Sequence, residues 1–165
     1  MRLAASKLER LKFLTRVVKK EIQHLKYSAD KVFSKPFTVA LAKQLDGNEQ
    51  LAEQVEAFSS RFCRLQDTIG DKLLPAWLDA LGEKTSVAVD NLDKAEKLGV
   101  LSCVELWLEL RQLKNQMIHE YIEDLTILVN ALDTAHKHLG FIVGVAESII
   151  NNIEERALQQ VRQAP

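Results

Sequence analysis

Proline and glycine are scarce, at 3 and 6 residues in 165. A chain this poor in turn-formers does not supply the tight turns of a sheet-rich protein. The same composition excludes collagen and low-complexity disorder. Cysteine is scarcer still: Cys63 and Cys103 stand 40 positions apart, which excludes a disulfide framework and a cysteine-based zinc site. No apolar run approaches the roughly 18 residues of a membrane span. The first twenty residues are studded with lysine and arginine and lack the apolar centre of a secretory signal, so the expected location is cytoplasmic, away from membranes. A glycine-rich phosphate loop, a His-Glu-x-x-His helix and a Gly-x-Ser-x-Gly elbow are all missing. His136 and His138, two apart, point about 200° from each other on a helix and cannot share a metal. Neither a metal nor a cofactor is expected.

What remains is the composition of one globular domain, 47% hydrophobic and 27% charged, long enough to bury a core. A formal net charge of −1 hides an asymmetry. Residues 1–27 hold eight basic side chains and two acidic ones, a net +6, so the other 138 residues carry −7. Lys12, Arg16, Lys19 and Lys20 lie in this basic stretch and are candidate RNA contacts. The plainer reading is a solvated helix face beside an acidic neighbour, and the sequence leaves both open.

Hydrophobic periodicity is helical nearly throughout. Leu11, Leu14, Val18, Ile22 and Leu25 mark one buried stripe, and Leu51, Val55, Phe58, Phe62, Leu65 and Ile69 a second. Pro36 and Asp46-Gly47 punctuate the connection between them. Pro75 should kink or break the second helix, and Gly82 should stop it. A short helix is expected over Val87–Leu98, ended by Gly99. Ser102-Cys103-Val104-Glu105 reads as a capping box that starts a helix near Cys103. Leu106, Leu110, Leu113 and Met117 form its apolar face. From Leu125 to Ile153 apolar residues alternate 3 and 4 without a break. That predicts one long final helix with a seam of roughly 40 Å, suited to a bundle core or a dimer interface. Gly140 and Gly144 lie in it, where small side chains permit close helix approach or a bend. The tail after Arg156 is polar. The predicted architecture is an all-α antiparallel helical bundle spanning residues 1–165 as a single domain, with a fraying tail after about residue 157.

Trp77 and Trp107 fit packing anchors. Cys63 and Cys103 fit small buried groups, and His24, His136 and His138 ordinary surface or rim residues. One stretch stands apart, Trp107 to Tyr121. Arg111 and Asn115 are four apart and share a helix face. His119 is four further on, drifting round by about 40°. Leu110, Leu113 and Met117 hold the opposite face. A polar stripe on a rigid element suits a site; a solvated face ending in a structural histidine is the other reading of the same spacing.

Lys114-Asn115-Gln116-Met117-Ile118-His119-Glu120-Tyr121 resembles the signature of HEPN domains, and more narrowly that of the HepT branch, Arg-x-x-x-x-His-x-Tyr with Asn commonly after the Arg. The resemblance reaches back through Arg111 and Trp107 to Leu98-Gly99, and takes in the all-helical layout. It implies a homodimeric toxin of a toxin–antitoxin pair, whose two motif copies face one cleft and cleave RNA without a metal. It also implies an MNT-type nucleotidyltransferase antitoxin that transfers AMP to Tyr121. In such a site His119 acts as general base or orients the ribose 2′-OH. Lys114, and Arg111 one turn earlier, neutralise phosphate charge, and Asn115 holds geometry or bonds RNA. Lys114 replaces the family's arginine, keeping the charge but losing the planar bidentate fork. That departure keeps a second reading open: a non-catalytic partner protein of a nucleotidyltransferase.

Overall fold

The computed structural model describes residues 4–118 and 124–165. Among them every regular element is helical: α1 (Ala5–Val32), α2 (Val39–Ala42), α3 (Glu49–Thr68), α4 (Leu74–Ala80), α5 (Ala88–Lys97), α6 (Val104–Ile118), α7 (Leu125–Lys137) and α8 (Leu139–Arg162). A 3-10 turn, Leu45–Gly47, precedes α3, and a π-helical turn, Ile69–Leu73, joins α3 to α4. The all-α expectation therefore holds. No helix is long and apolar enough to cross a membrane among the described residues.

The chain packs as two compact units. The first comprises the segment ending at Lys20, Asp67–Val104 and Phe141–Pro165; the second comprises Glu21–Gln66 and Glu105–Gly140. The first unit buries Leu11, Leu14 and Val18 of α1, Trp77 and Leu78 of α4, and Ile142, Ile149 and Ile153 of α8. Trp77 keeps its indole N–H satisfied by donating to Asn152 Oδ1 at 2.9 Å, and Arg156 Nε donates to the same oxygen at 2.8 Å. In the second unit Phe58 and Phe62 are fully buried. Phe33 meets Phe58 edge-on, with ring centroids 5.1 Å apart, and stacks flat on His136 at 3.9 Å. His136 is thus an aromatic neighbour, in keeping with a rim residue.

Both predicted glycine stops are realised. Gly82 and Gly99 each adopt φ of 81°, the left-handed conformation that favours glycine. Glu83 N–H returns to the Leu78 carbonyl at 2.9 Å and Val100 N–H to that of Ala95 at 3.1 Å, the six-to-one bonds of Schellman caps. At Pro75 the regular α-helix gives way, as the proline rule anticipates: a π-helical turn interrupts it just before the proline. The π-helical turn ends two residues before Pro75, with the Leu74 N–H reaching the Ile69 carbonyl, and the proline follows as the second residue of α4, where it has no N–H to continue the ladder. The start of α6 lies at Val104, whose N–H is capped by Glu96 Oε2 at 3.0 Å. That carboxylate comes from α5, a tertiary contribution outside the Ser102–Glu105 box.

The final helix departs from expectation. His138, at φ −104° and ψ 11°, separates α7 from α8, so the seam from Leu125 to Ile153 runs through two helices belonging to different units. Thr134 donates its hydroxyl to the Asn130 carbonyl at 2.7 Å, a back-bond that bends helices. The seam's apolar phase survives: Leu128, Leu132 and Ala135 are buried before the joint, and Ile142, Ala146 and Ile149 after it. Gly140 and Gly144 do not mediate close approach, since a Cβ at either would meet nothing within 4 Å. Helical structure also continues past Arg156 to Arg162, with Leu158 and Val161 exposed.

Because both glycines sit in a helix with open space around them, Gly144→Ala should raise unfolding free energy by about 0.5–1 kcal/mol, and Gly140→Ala by less because it lies in the first turn. Chemical denaturation of the two variants checks this; destabilisation by Gly144→Ala would reveal a close contact there.

Candidate functional site

The candidate site is built on α6. Its inward face is fixed by Trp107, Leu110, Leu113 and Met117, all buried. Gln66, only 2% exposed, donates its amide N–H to the Trp107 carbonyl at 2.8 Å. This bond ties α6 to α3 within the second unit. The outward face carries Arg111, Lys114 and Asn115, all exposed. They lie within an arc of about 100° over little more than one turn. The predicted division of α6 into an anchored apolar face and an open polar face is therefore present, except that Leu106, expected on the apolar face, is half-buried and Trp107 takes the core position beside it. His119 and Tyr121, the expected catalytic and modified residues, lie outside the described residues. Beyond them, Asp124 accepts the Thr126 N–H at 2.9 Å and opens α7.

Beside the last described turn of α6 lies a cavity of about 470 Å³, with Val55, Met117, Ile118 and Leu128 supplying apolar wall. Three carboxylates also line it, from Asp46, Glu49 and Glu56, and no cation does among the described residues. Ser59 contributes a buried hydroxyl that has no hydrogen-bond partner. The spacing argument gave no sign of this acidic pocket, because Asp46 and Met117 are joined only by the tertiary fold.

The basic first helix divides between pairing and exposure. Lys12 lies 3.2 Å from Glu9 and Lys19 2.6 Å from Glu154; Arg16 and Lys20 are exposed. Lys7 adds a bridge to Asp79 at 3.0 Å. Acidic neighbours on α4 and α8 thus meet part of the +6 charge, as the plainer reading anticipates. These ion pairs are solvent-exposed at both ends and worth at most about 1 kcal/mol each, so a polyanion can displace them.

His24 lies on the second unit's share of α1 and lines, with Glu21, Arg61 and Arg64, a separate cleft of about 130 Å³. The sequence signal for this cleft is slight: two arginines three apart on α3, a helix whose first half is acidic. Cys63 is buried and Cys103 half-buried. The described residues contain no group of three or more His, Cys, Asp or Glu side chains able to hold a metal ion.

The two faces of α6 should respond differently to truncation. Met117→Ala should cost about 2–5 kcal/mol of stability, whereas Asn115→Ala should change it by less than about 0.5 kcal/mol. Thermal melts of both variants check the assignment of faces. No protein-family model, curated protein or solved structure matches this chain.

Proposed function

We propose that this chain is a HEPN-type toxin, a homodimeric endoribonuclease that cleaves RNA without a metal and is neutralised by an MNT-type nucleotidyltransferase. The observation that carries the reading is the polar face of α6. Arg111, Lys114 and Asn115 are exposed on a helix whose other face is held by Leu110, Leu113 and Met117, and the chain runs from there straight into His119-Glu120-Tyr121. An anchored helix fixes where its cations start, so only their side-chain freedom is lost when they meet a phosphate.

In this reading His119 takes the proton of a ribose 2′-OH. The 2′-oxygen attacks the adjacent phosphorus, the bond from phosphorus to the 5′-oxygen breaks, and the departing oxygen is protonated by the imidazolium. The products are a 2′,3′-cyclic phosphate and a 5′-hydroxyl. Lys114 offsets the negative charge that grows on the phosphate in the transition state. On an ideal helix two residues five apart stand about 140° from each other, which is why the reading calls on a second copy of the chain. A two-fold partner brings the lysine of one copy and the histidine of the other to a shared cleft. Arg111 contributes longer-range positive charge and Asn115 hydrogen-bonds the RNA. The antitoxin acts at Tyr121, whose phenolic oxygen attacks the α-phosphorus of ATP and releases pyrophosphate. The added nucleotide blocks the cleft by bulk and by charge.

A second reading, a non-catalytic partner of the nucleotidyltransferase, is favoured by two observations. Lys114 lacks the planar fork of arginine, and the cavity beside the end of α6 is lined by Asp46, Glu49 and Glu56, which repel phosphate.

The deciding experiment is cleavage of RNA by the purified chain in EDTA. Wild type should cleave, His119→Ala should lose about 10²–10⁴-fold in rate, and Lys114→Arg should cleave at least as fast as wild type. A folded dimer that leaves RNA intact with His119 present would discard the ribonuclease and leave the partner reading standing.

A further inference from the structure

The cleft between α1 and α3 differs in character from the acidic cavity. Its described lining is Glu21, His24, Arg61 and Arg64. Arg61 is held in place before any ligand arrives: Nη1 donates to Ser28 Oγ at 2.6 Å and to the His24 carbonyl at 3.2 Å. Arg64 donates Nη2 to Ser60 Oγ at 3.4 Å. All three acceptors are neutral oxygens. The two bonds of Arg61 orient its guanidinium and the longer one of Arg64 only tethers it; these acceptors carry no charge, and each arginine uses a single nitrogen to reach them. A guanidinium presents five donors in a planar fork matched to phosphate oxygens. Glu21 is the single carboxylate in the described lining, and its Oε2 is shielded from water.

The surface beside the cleft extends this pattern along α1. His24, Tyr27, Ser28 and Lys31 fall within an arc of about 100° on that helix, and Ser28 is the residue that anchors Arg61. Tyr27 is 61% exposed, unusual for so large a ring, and Lys31 Nζ stands 5.6 Å from its centroid. Positioned guanidinium groups, a lysine and a solvent-facing aromatic ring along one surface are the elements by which proteins hold single-stranded nucleic acid: cations follow the backbone and a base stacks on the ring. A free phosphate would use the arginine pair alone and leave Tyr27 and Lys31 without a role.

We propose that the α1/α3 face of the second unit is a single-stranded RNA-binding surface, with Arg61 and Arg64 clamping one backbone phosphate and Tyr27 stacking an adjacent base. It rests on the ribonuclease reading for the identity of the nucleic acid, and it adds an RNA site on residues other than those of the α6 motif. Glu21 weakens the clamp, so neutralising it strengthens binding.

The test is fluorescence anisotropy with labelled RNA of about twelve uridines, using the full-length chain carrying His119→Ala so that the probe stays intact. Arg64→Ala should weaken binding at least about five-fold and reduce the slope of log affinity against log salt by about one. Tyr27→Ala should weaken binding about five-fold or more with the salt slope kept. Glu21→Gln should tighten it. Arg61 also bridges two helices, so it is tested as Arg61→Lys, with circular dichroism melts confirming that each variant is folded. Unchanged affinity and salt slope in both Arg64→Ala and Tyr27→Ala would overturn the proposal. So would displacement of the RNA by poly-L-glutamate at equal charge, which would mark a face for acidic protein. If the variants behave as expected but wild type cleaves no RNA, the catalytic reading fails and the binding surface stands. If wild type cleaves RNA and the two alanine variants cleave with its KM, the surface fails and the catalytic reading stands.

Discussion

The hydrogen bond from the Gln66 amide to the Trp107 carbonyl sets the terms for the second unit. Both residues are at most 2% exposed and the bond is 2.8 Å long. A buried amide that loses its partner costs about 1–3 kcal/mol, and sliding α6 by one residue along α3 would both break this bond and turn Leu110, Leu113 and Met117 out of the core. One polar contact therefore specifies a register that apolar packing alone would define less sharply. The exposure of Arg111, Lys114 and Asn115 follows from it, because they are what remains when the other side of the helix is committed.

Residues dominated by burial were easy to read from the sequence. Leu11, Leu14, Val18, Phe58, Phe62 and Leu65 recur at helical spacing and are buried. Gly82 and Gly99 stop their helices because only glycine takes that backbone conformation without strain. The errors fall where a neighbour distant in sequence makes the decision. The cap of α6 comes from Glu96 on another helix. The joint at His138 leaves the heptad phase intact, so a pattern that records only which residues are buried cannot register it. For Pro75, the rule against proline inside helices holds, since the α-helical ladder gives way to a π-helical turn before it; the apolar pattern does not encode that form of interruption. At the candidate site the anchored face of α6 was legible from Leu110, Leu113 and Met117, while the acidic cavity and the arginine cleft are assembled by tertiary packing and were not.

Charge is unevenly spread along α3. Glu49, Glu53 and Glu56 occupy its first half and Arg61 and Arg64 its second, with Asp67 in the last turn; the helix dipole favours only Glu49, in the first turn. Tertiary packing decides what each charge faces. Glu49 and Glu56 turn up in the wall of a cavity with apolar sides, and the arginines in a cleft shared with Glu21, where neutral oxygens hold Arg61. One helix thereby gives the second unit two surfaces of opposite sign.

The two cysteines acquire a use from where they lie. Cys63 is buried in the second unit and Cys103 is half-buried in the first. Thiol-reactive reagents reach a buried sulfur only when its surroundings open, so labelling at Cys63 counts openings of the second unit, while the half-buried Cys103 serves as a reference. The native chain thus carries a chemical clock in its second unit and a reference thiol at Cys103, and the ratio of the two rates separates opening at Cys63 from the reagent's own reactivity.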